Sequence, residues 1–126
     1  MSSPNVPEPA RRLIREAIDS IAELEALLLL RETPMERWSV EAASARLYVH
    51  PDVAADALAA LERRGFLDEG PGGFVYRPAS PELADDVTVL AQAYSVSLVA
   101  VTHLIHSKPS PSVQDFARAF RFRKDR

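Results

Sequence analysis

The stretch Pro51-Asp52-Val53-Ala54-Ala55-Asp56-Ala57-Leu58-Ala59-Ala60-Leu61-Glu62-Arg63-Arg64-Gly65-Phe66-Leu67 decides the fold. Pro51 suits the first helical position, and Asp52 sits in the first turn, where the helix dipole favours a carboxylate. Val53, Ala54, Ala57, Leu58 and Leu61 recur at steps of three and four, which makes one apolar stripe of a helix. Arg63 and Arg64 fill the last turn. Gly65 then supplies the left-handed residue that ends a helix, and Phe66-Leu67 begins a different pattern.

Downstream, Phe66-Leu67 and Phe74-Val75-Tyr76 are strand-like runs around Gly70-Pro71-Gly72-Gly73. That is hairpin chemistry, with Gly72 and Gly73 where positive φ is needed. Pro78 stops the second strand. Ser80 caps and Pro81 opens a helix expected to run unbroken over 81–107, with Leu83, Val87, Leu90, Ala91 and Tyr94 as one stripe and an almost wholly apolar second half. Lys108-Pro109 ends it. A last helix is expected over 110–122, with Val113, Phe116, Ala117 and Phe120 at core-facing spacing and a cationic end from Arg121 to Arg126.

Upstream, Ser39 caps a helix from Val40 to about Leu47, with Ala42, Ala43 and Leu47 turned inward and Trp38 as a core or staple residue before it. Thr33-Pro34-Met35-Glu36 reads as a helix start. From Ala10, the residues Ile14, Ile18, Ile21, Leu24 and Leu28 keep helical spacing, with a break expected at Asp19-Ser20. Leu27 to Leu30 covers more than one helix face, so this helix lies inside the fold. Residues 1–9, with three prolines and two serines, are expected to be a disordered tail, and 10–126 a single domain.

Composition narrows the function. The chain has 126 residues, 47% apolar and 26% charged, which fits one globular domain. It has no cysteine, which excludes disulfides, thiolate zinc ligands and a thiol nucleophile. Its net charge of −3 shows no strong attraction to nucleic acid. Residues 81–107 contain no Lys or Arg, and the one basic block is the C-terminal end from Arg118 to Arg126. The apolar run from Tyr94 to Ile105 falls short of the about 20 residues that span a bilayer. No basic-then-apolar leader is visible, so a cytoplasmic protein of bacterial type is expected. Four glycines, three of them in the hairpin, build no phosphate-cradling loop, and no nucleophile-elbow string is present. His103 and His106 lie three apart, but the sequence assembles no further ligands around them. No enzyme activity, cofactor or metal is expected.

Helix, helix, turn, helix and hairpin, from about Ser20 to Arg77, is the order of a winged helix-turn-helix. The string Val53-x4-Leu58-x2-Leu61-x3-Gly65-Phe66-Leu67 resembles the third helix and the start of the wing in bacterial transcriptional regulators of the MarR and related families. The resemblance implies a mainly α fold with a small β-hairpin: a winged helix-turn-helix (core 20–77) with flanking N- and C-terminal helices. It also implies that the helix opened by Pro51 and ended by Gly65 would enter a DNA groove and that the flanking helices would dimerise.

Two functions remain open. The first is a dimeric, DNA-binding regulator whose phosphate contacts come from Arg46, Arg63, Arg64 and Arg77, with weak binding because Asp52 and Asp56 would face a polyanion. The second is an interaction module that has lost groove reading, with Asp52, Ala55, Asp56 and Ala59 meeting another protein. The helix 81–107 offers more apolar surface than a small domain easily hides. A homodimer is therefore expected through Leu83, Val87, Leu90, Tyr94 and Val101.

Overall fold

The structure is a computed structural model and describes residues 6–108. It is mainly helical with one two-stranded antiparallel hairpin. Among the described residues the order is α1 (Glu8–Ala17), α2 (Ile21–Glu32), α3 (Val40–Leu47), α4 (Pro51–Arg63), β1 (Leu67–Gly70), β2 (Gly73–Tyr76), α5 (Pro81–Val96) and α6 (Leu98–His106).

The break at Asp19-Ser20 has a local cause. The Ser20 hydroxyl accepts the Glu23 amide at 3.1 Å, while the Glu23 carboxylate accepts the Asp19 amide at 2.8 Å. This reciprocal cap satisfies amides that a new helix leaves open. The chain is ordered earlier than its composition suggests. Val6 is buried in the core and α1 begins at Glu8, so residues 6–9 belong to the fold rather than to a tail. Thr33 ends α2 instead of starting a helix: its hydroxyl donates back to the Leu29 carbonyl and accepts from the Trp38 indole at 2.9 Å.

At the end of α4, the Phe66 amide donates to the Leu61 carbonyl at 3.0 Å and the Gly65 amide to Glu62 at 3.1 Å. With Gly65 at φ +90°, these are the paired bonds of a Schellman motif. The hairpin that follows pairs Leu67 with Tyr76 and Gly70 with Gly73. Trp38 adds a single bridge on its other edge, exchanging both backbone bonds with Phe74 at 2.7 and 2.8 Å. Gly73 is where this bridge comes closest. A Cβ there would run into the Trp38 carbonyl, and φ is +119°.

The helix expected over 81–107 is two helices. It breaks at Ser97, and α5 and α6 meet at 113°. Around the corner, the Ser97 amide closes α5 on the Ala93 carbonyl at 2.7 Å and Val101 opens α6 on Ser97 at 3.0 Å. The bend lets both helices pack against α1, and Val87, Leu90 and Val101 become fully buried beside Ile14 and Ile18 in the common core. The expected dimer interface is therefore corrected. Those three side chains are used inside one chain, Leu83 is half-buried near Gly65, and Tyr94 donates to Glu25 of α2 at 3.3 Å. Burying such an aliphatic side chain stabilises the fold by roughly 1.5–3 kcal/mol, which leaves little reason to expose it to a second copy. The expected helix 110–122 lies outside the described residues.

Candidate interaction surface

α3 and α4 are joined by a tight turn with an unusual residue in it. The Ser39 hydroxyl caps α3 by accepting the Ala42 amide at 3.0 Å. The helix ends at Tyr48, which takes the left-handed conformation at φ +59°, ψ +42°, and Val49 donates back to Ser44 at 3.1 Å. Glycine or asparagine normally holds such a position; for other residues it costs roughly 1–2 kcal/mol. Tyr48 is also 92% exposed, so no packing of its ring compensates among the described residues. His50 then starts α4, its Nδ1 accepting the Asp52 amide at 3.0 Å.

The outer surface of α4 begins beside this turn. The Asp52 side chain is 91% exposed and Asp56 is exposed, while Ala55 and Ala59 are half-buried in the neighbouring row of the helix. Val53 was expected in the core stripe, but that stripe centres on Ala54, Ala57, Leu58 and Leu61. Val53 falls at its margin in the first turn and is 43% exposed. The turn and α4 thus present one tyrosine, one valine, two small residues and two carboxylates.

The four arginines expected at DNA do not form a set. Arg64 is turned inward at the C-terminal end of α4. It donates to the Ala17 carbonyl and the Glu23 carboxylate, both at 2.7 Å, and to Asp19 at 3.1 Å. Lys108 joins from the end of α6, donating to the carbonyls of Ile14 and Ile18 and to the other Asp19 oxygen at 2.7 Å. The cluster ties together the ends of α1, α4 and α6, and it removes Arg64 from any groove-facing role.

Arg77 donates to the Asp68 carboxylate at 3.1 Å. Arg37, which sequence reasoning passed over, donates to the same carboxylate at 3.3 Å and to the Gly73 carbonyl at 3.0 Å, bracing the hairpin. Arg46 and Arg63 are exposed and make no ion pair among the described residues. Arg46 ends α3 next to the start of α4, and Arg63 lies at the far end of α4. The 13 residues of α4 separate its two ends by about 18 Å at 1.5 Å per residue. Arg46 also lines a cleft of about 330 Å³ between α2, α3 and α5, with Leu28, Leu47 and Tyr94.

His103 and His106 are both exposed on α6. Among the described residues, no three His, Asp or Glu side chains gather to hold a metal ion. No single described helix is long and apolar enough to cross a membrane.

Compared with known proteins, the chain matches no family model, and neither a curated protein nor a solved structure is significantly similar to it.

Tyr48 and Val53 are the surface residues that sequence reasoning missed. The signal for Tyr48 was available: an aromatic residue stands where the closing position of a short helix prefers glycine.

Proposed function

We propose that the chain is a winged helix-turn-helix module whose α4 face recognises a protein surface rather than reading a DNA groove. The order α2, Trp38 bridge, α3, α4, β1, β2 supports the architecture. One observation carries the function: a fully displayed tyrosine in a strained turn, set beside Val53, Asp52 and Asp56. Strain retained at an exposed residue points toward use, and tyrosine offers a large apolar body with a polar tip, which is why it is enriched at interfaces. The carboxylates around it favour a partner with cationic residues flanking an apolar contact. A cytoplasmic adaptor is the setting we infer.

Arg46 and Arg63, both exposed and unpaired among the described residues, support a second reading as a dimeric regulator with weak, phosphate-dominated DNA binding. An electrophoretic shift series from low to physiological salt separates the two. For an adaptor, the parent binds DNA weakly at low salt and not at physiological salt. Asp52→Asn with Asp56→Asn then strengthens the residual binding by removing repulsion. A tight, sequence-selective parent complex that the double change abolishes would return α4 to a DNA groove and refute the adaptor.

A further inference from the structure

The one basic block of the chain follows directly on Lys108. Residues 109–126 carry Arg118, Arg121, Arg123, Lys124 and Arg126, interleaved with Phe116, Phe120 and Phe122, and two aspartates, Asp115 and Asp125. Lys108 fixes where this segment starts. Its ammonium donates to one oxygen of Asp19 at 2.7 Å, while Arg64 donates to the other at 3.1 Å. The segment therefore leaves the fold beside the C-terminal end of α4. An extended chain covers about 3.3 Å per residue, so Phe116 has a reach of about 26 Å from Lys108, more than the whole length of α4.

We propose that residues 115–126 lie along the outer surface of α4 in their own chain, and that a protein partner of this face must displace them. The proposal rests on the reading of α4 as a protein-facing surface, and it names the chemistry that surface recognises: an arginine-rich aromatic segment. The order of charges selects this occupant. From the Lys108 end, the segment gives Asp115 first and then Arg118, Arg121 and Arg123. From the same end, α4 presents the exposed Arg63 first and then the exposed Asp56 and Asp52. At equal rise per residue, antiparallel alignment sets Asp115 at Arg63, Arg121 and Arg123 at Asp56, and Arg126 at Asp52, so opposite charges meet along the whole face. Both carboxylates are available for this. Among the described residues Asp56 makes no ion pair, and Asp52 approaches one basic group, His50 at 3.7 Å. Val53, Ala55 and Ala59 give the phenylalanines apolar contact, and the displayed ring of Tyr48 offers its face to a guanidinium. A short tether holds the segment at an effective concentration of about millimolar, which favours its own chain over a second copy.

Other surfaces suit the segment less well. The α5–α6 corner exposes Val96, Leu98 and Val99, but residues 87–107 contain no Asp or Glu to meet five cations. Nearer to Lys108, a cavity of about 240 Å³ over Ile14 and Leu104 is rimmed by Arg11, Arg15 and Lys108 itself, which repel the same cations. The exposed Met35 stands between Glu32 and Glu36, but Arg31 and Arg46 share a cleft with Glu32. Glu82 and Asp85 are exposed at the start of α5 with no large exposed apolar residue beside them. Among the described residues, α4 and its turn combine exposed carboxylates with exposed apolar side chains and lie beside the segment's origin.

The chain has no cysteine, so Asp125→Cys places a single nitroxide label on the segment of the full chain. Amide resonances of residues 48–59 are expected to lose roughly twofold or more in intensity against the reduced label, because the tether keeps the segment docked most of the time. The loss is expected to shrink in about 1 M salt, where screening acts within about 3 Å, and on Asp52→Asn with Asp56→Asn. Should that variant fail to fold, Arg121→Gln with Arg123→Gln gives the same readout from the other side of the contact. Broadening centred on Leu104, on Val99 or on Met35, no localised broadening, or broadening that both salt and the folded variant leave unchanged each overturns the proposal. Broadening that passes from a labelled chain to an unlabelled one assigns α4 to a second copy and overturns it too. The electrophoretic series on the same chain tells the two failures apart. An uncovered α4 in a chain that does not bind DNA at physiological salt overturns this proposal and leaves the adaptor standing; an uncovered α4 in a chain that binds DNA tightly overturns both.

Discussion

Arg64 donates to the carboxylate of Asp19 at 3.1 Å, and by that bond the last residue of the α4 region is committed to the α1–α2 corner rather than to the outer face of its own helix. The side chains of both are largely withdrawn from solvent, as is that of Glu23, which Arg64 also meets. Three helix ends depend on this one guanidinium and on Lys108 beside it.

Arg64→Ala should therefore destabilise the protein, by about 2 kcal/mol, the range for losing hydrogen bonds to charged groups. Its sequence neighbour Arg63, exposed and unpaired among the described residues, should cost less than about 0.5 kcal/mol on the same change. Urea unfolding of the two variants checks the contrast. Equal midpoints would mean that the cluster contributes nothing to stability.

Gly73→Ala should be far worse than Gly72→Ala. Both glycines have positive φ, but a Cβ at Gly72 meets only the Arg37 side chain at 3.7 Å, whereas one at Gly73 strikes the Trp38 backbone. The expected cost is about 1 kcal/mol at Gly72, from conformation alone, and more than about 2 kcal/mol at Gly73, from conformation plus displacement of the bridge. Thermal unfolding, with loss of Trp38 near-UV dichroism in the Gly73 variant, reads this out.

Tyr48→Gly should raise stability. Relief of the left-handed strain contributes about 1 kcal/mol or slightly more, partly offset by the added freedom of the unfolded chain, about 0.5–1 kcal/mol. A melting temperature at or above the parent's, with reduced capture of any partner by a cross-linker placed at Ala55, is the expected pair of results. A lower melting temperature would mean that the ring supports the fold.

Leu90→Asp should unfold the chain rather than divide a dimer. Leu90 is fully buried, and an unpaired carboxyl there costs several kcal/mol. Circular dichroism should show lost helix at any protein concentration. A folded monomer would restore Leu90 to an interface.

Stability should fall in alkali through Tyr94. Burial, and secondarily the Glu25 carboxylate that accepts its hydroxyl, raises its pKa above the ordinary 10.0. The folded chain thus keeps a proton that the unfolded chain has released. The stabilisation is complete below pH 10.0, the ordinary value, and disappears as pH climbs through the raised folded value. Tyr76 shifts the same way, chiefly through burial. Tyr94→Phe should flatten the decline in a pH series of urea midpoints; an unchanged slope would remove Tyr94 from it.

Several features were legible in the sequence because they depend on neighbours only a few residues apart. The break at Asp19-Ser20, the Ser39, Pro51 and Ser80 starts, the Gly65 stop and the hairpin around Gly70 to Gly73 are all set by capping bonds and by φ, which act within one turn of chain. The acidic outer surface of α4 followed from the same periodicity, except Val53, which lies at the edge of the stripe. Partnership across the fold was beyond such a reading. Arg64 and Lys108 meet at Asp19 only because α1, α4 and α6 end at one place, and Arg37 braces a hairpin 31 residues away. Residues 81–107 contain no internal glycine or proline to announce the corner at Ser97. Packing against α1 goes with the bend, and it decides which apolar residues are interior and which, at Val96, Leu98 and Val99, remain outside. Local rules set where each helix begins and ends; which side of it meets water depends on neighbours distant in sequence, and those the tertiary structure supplied.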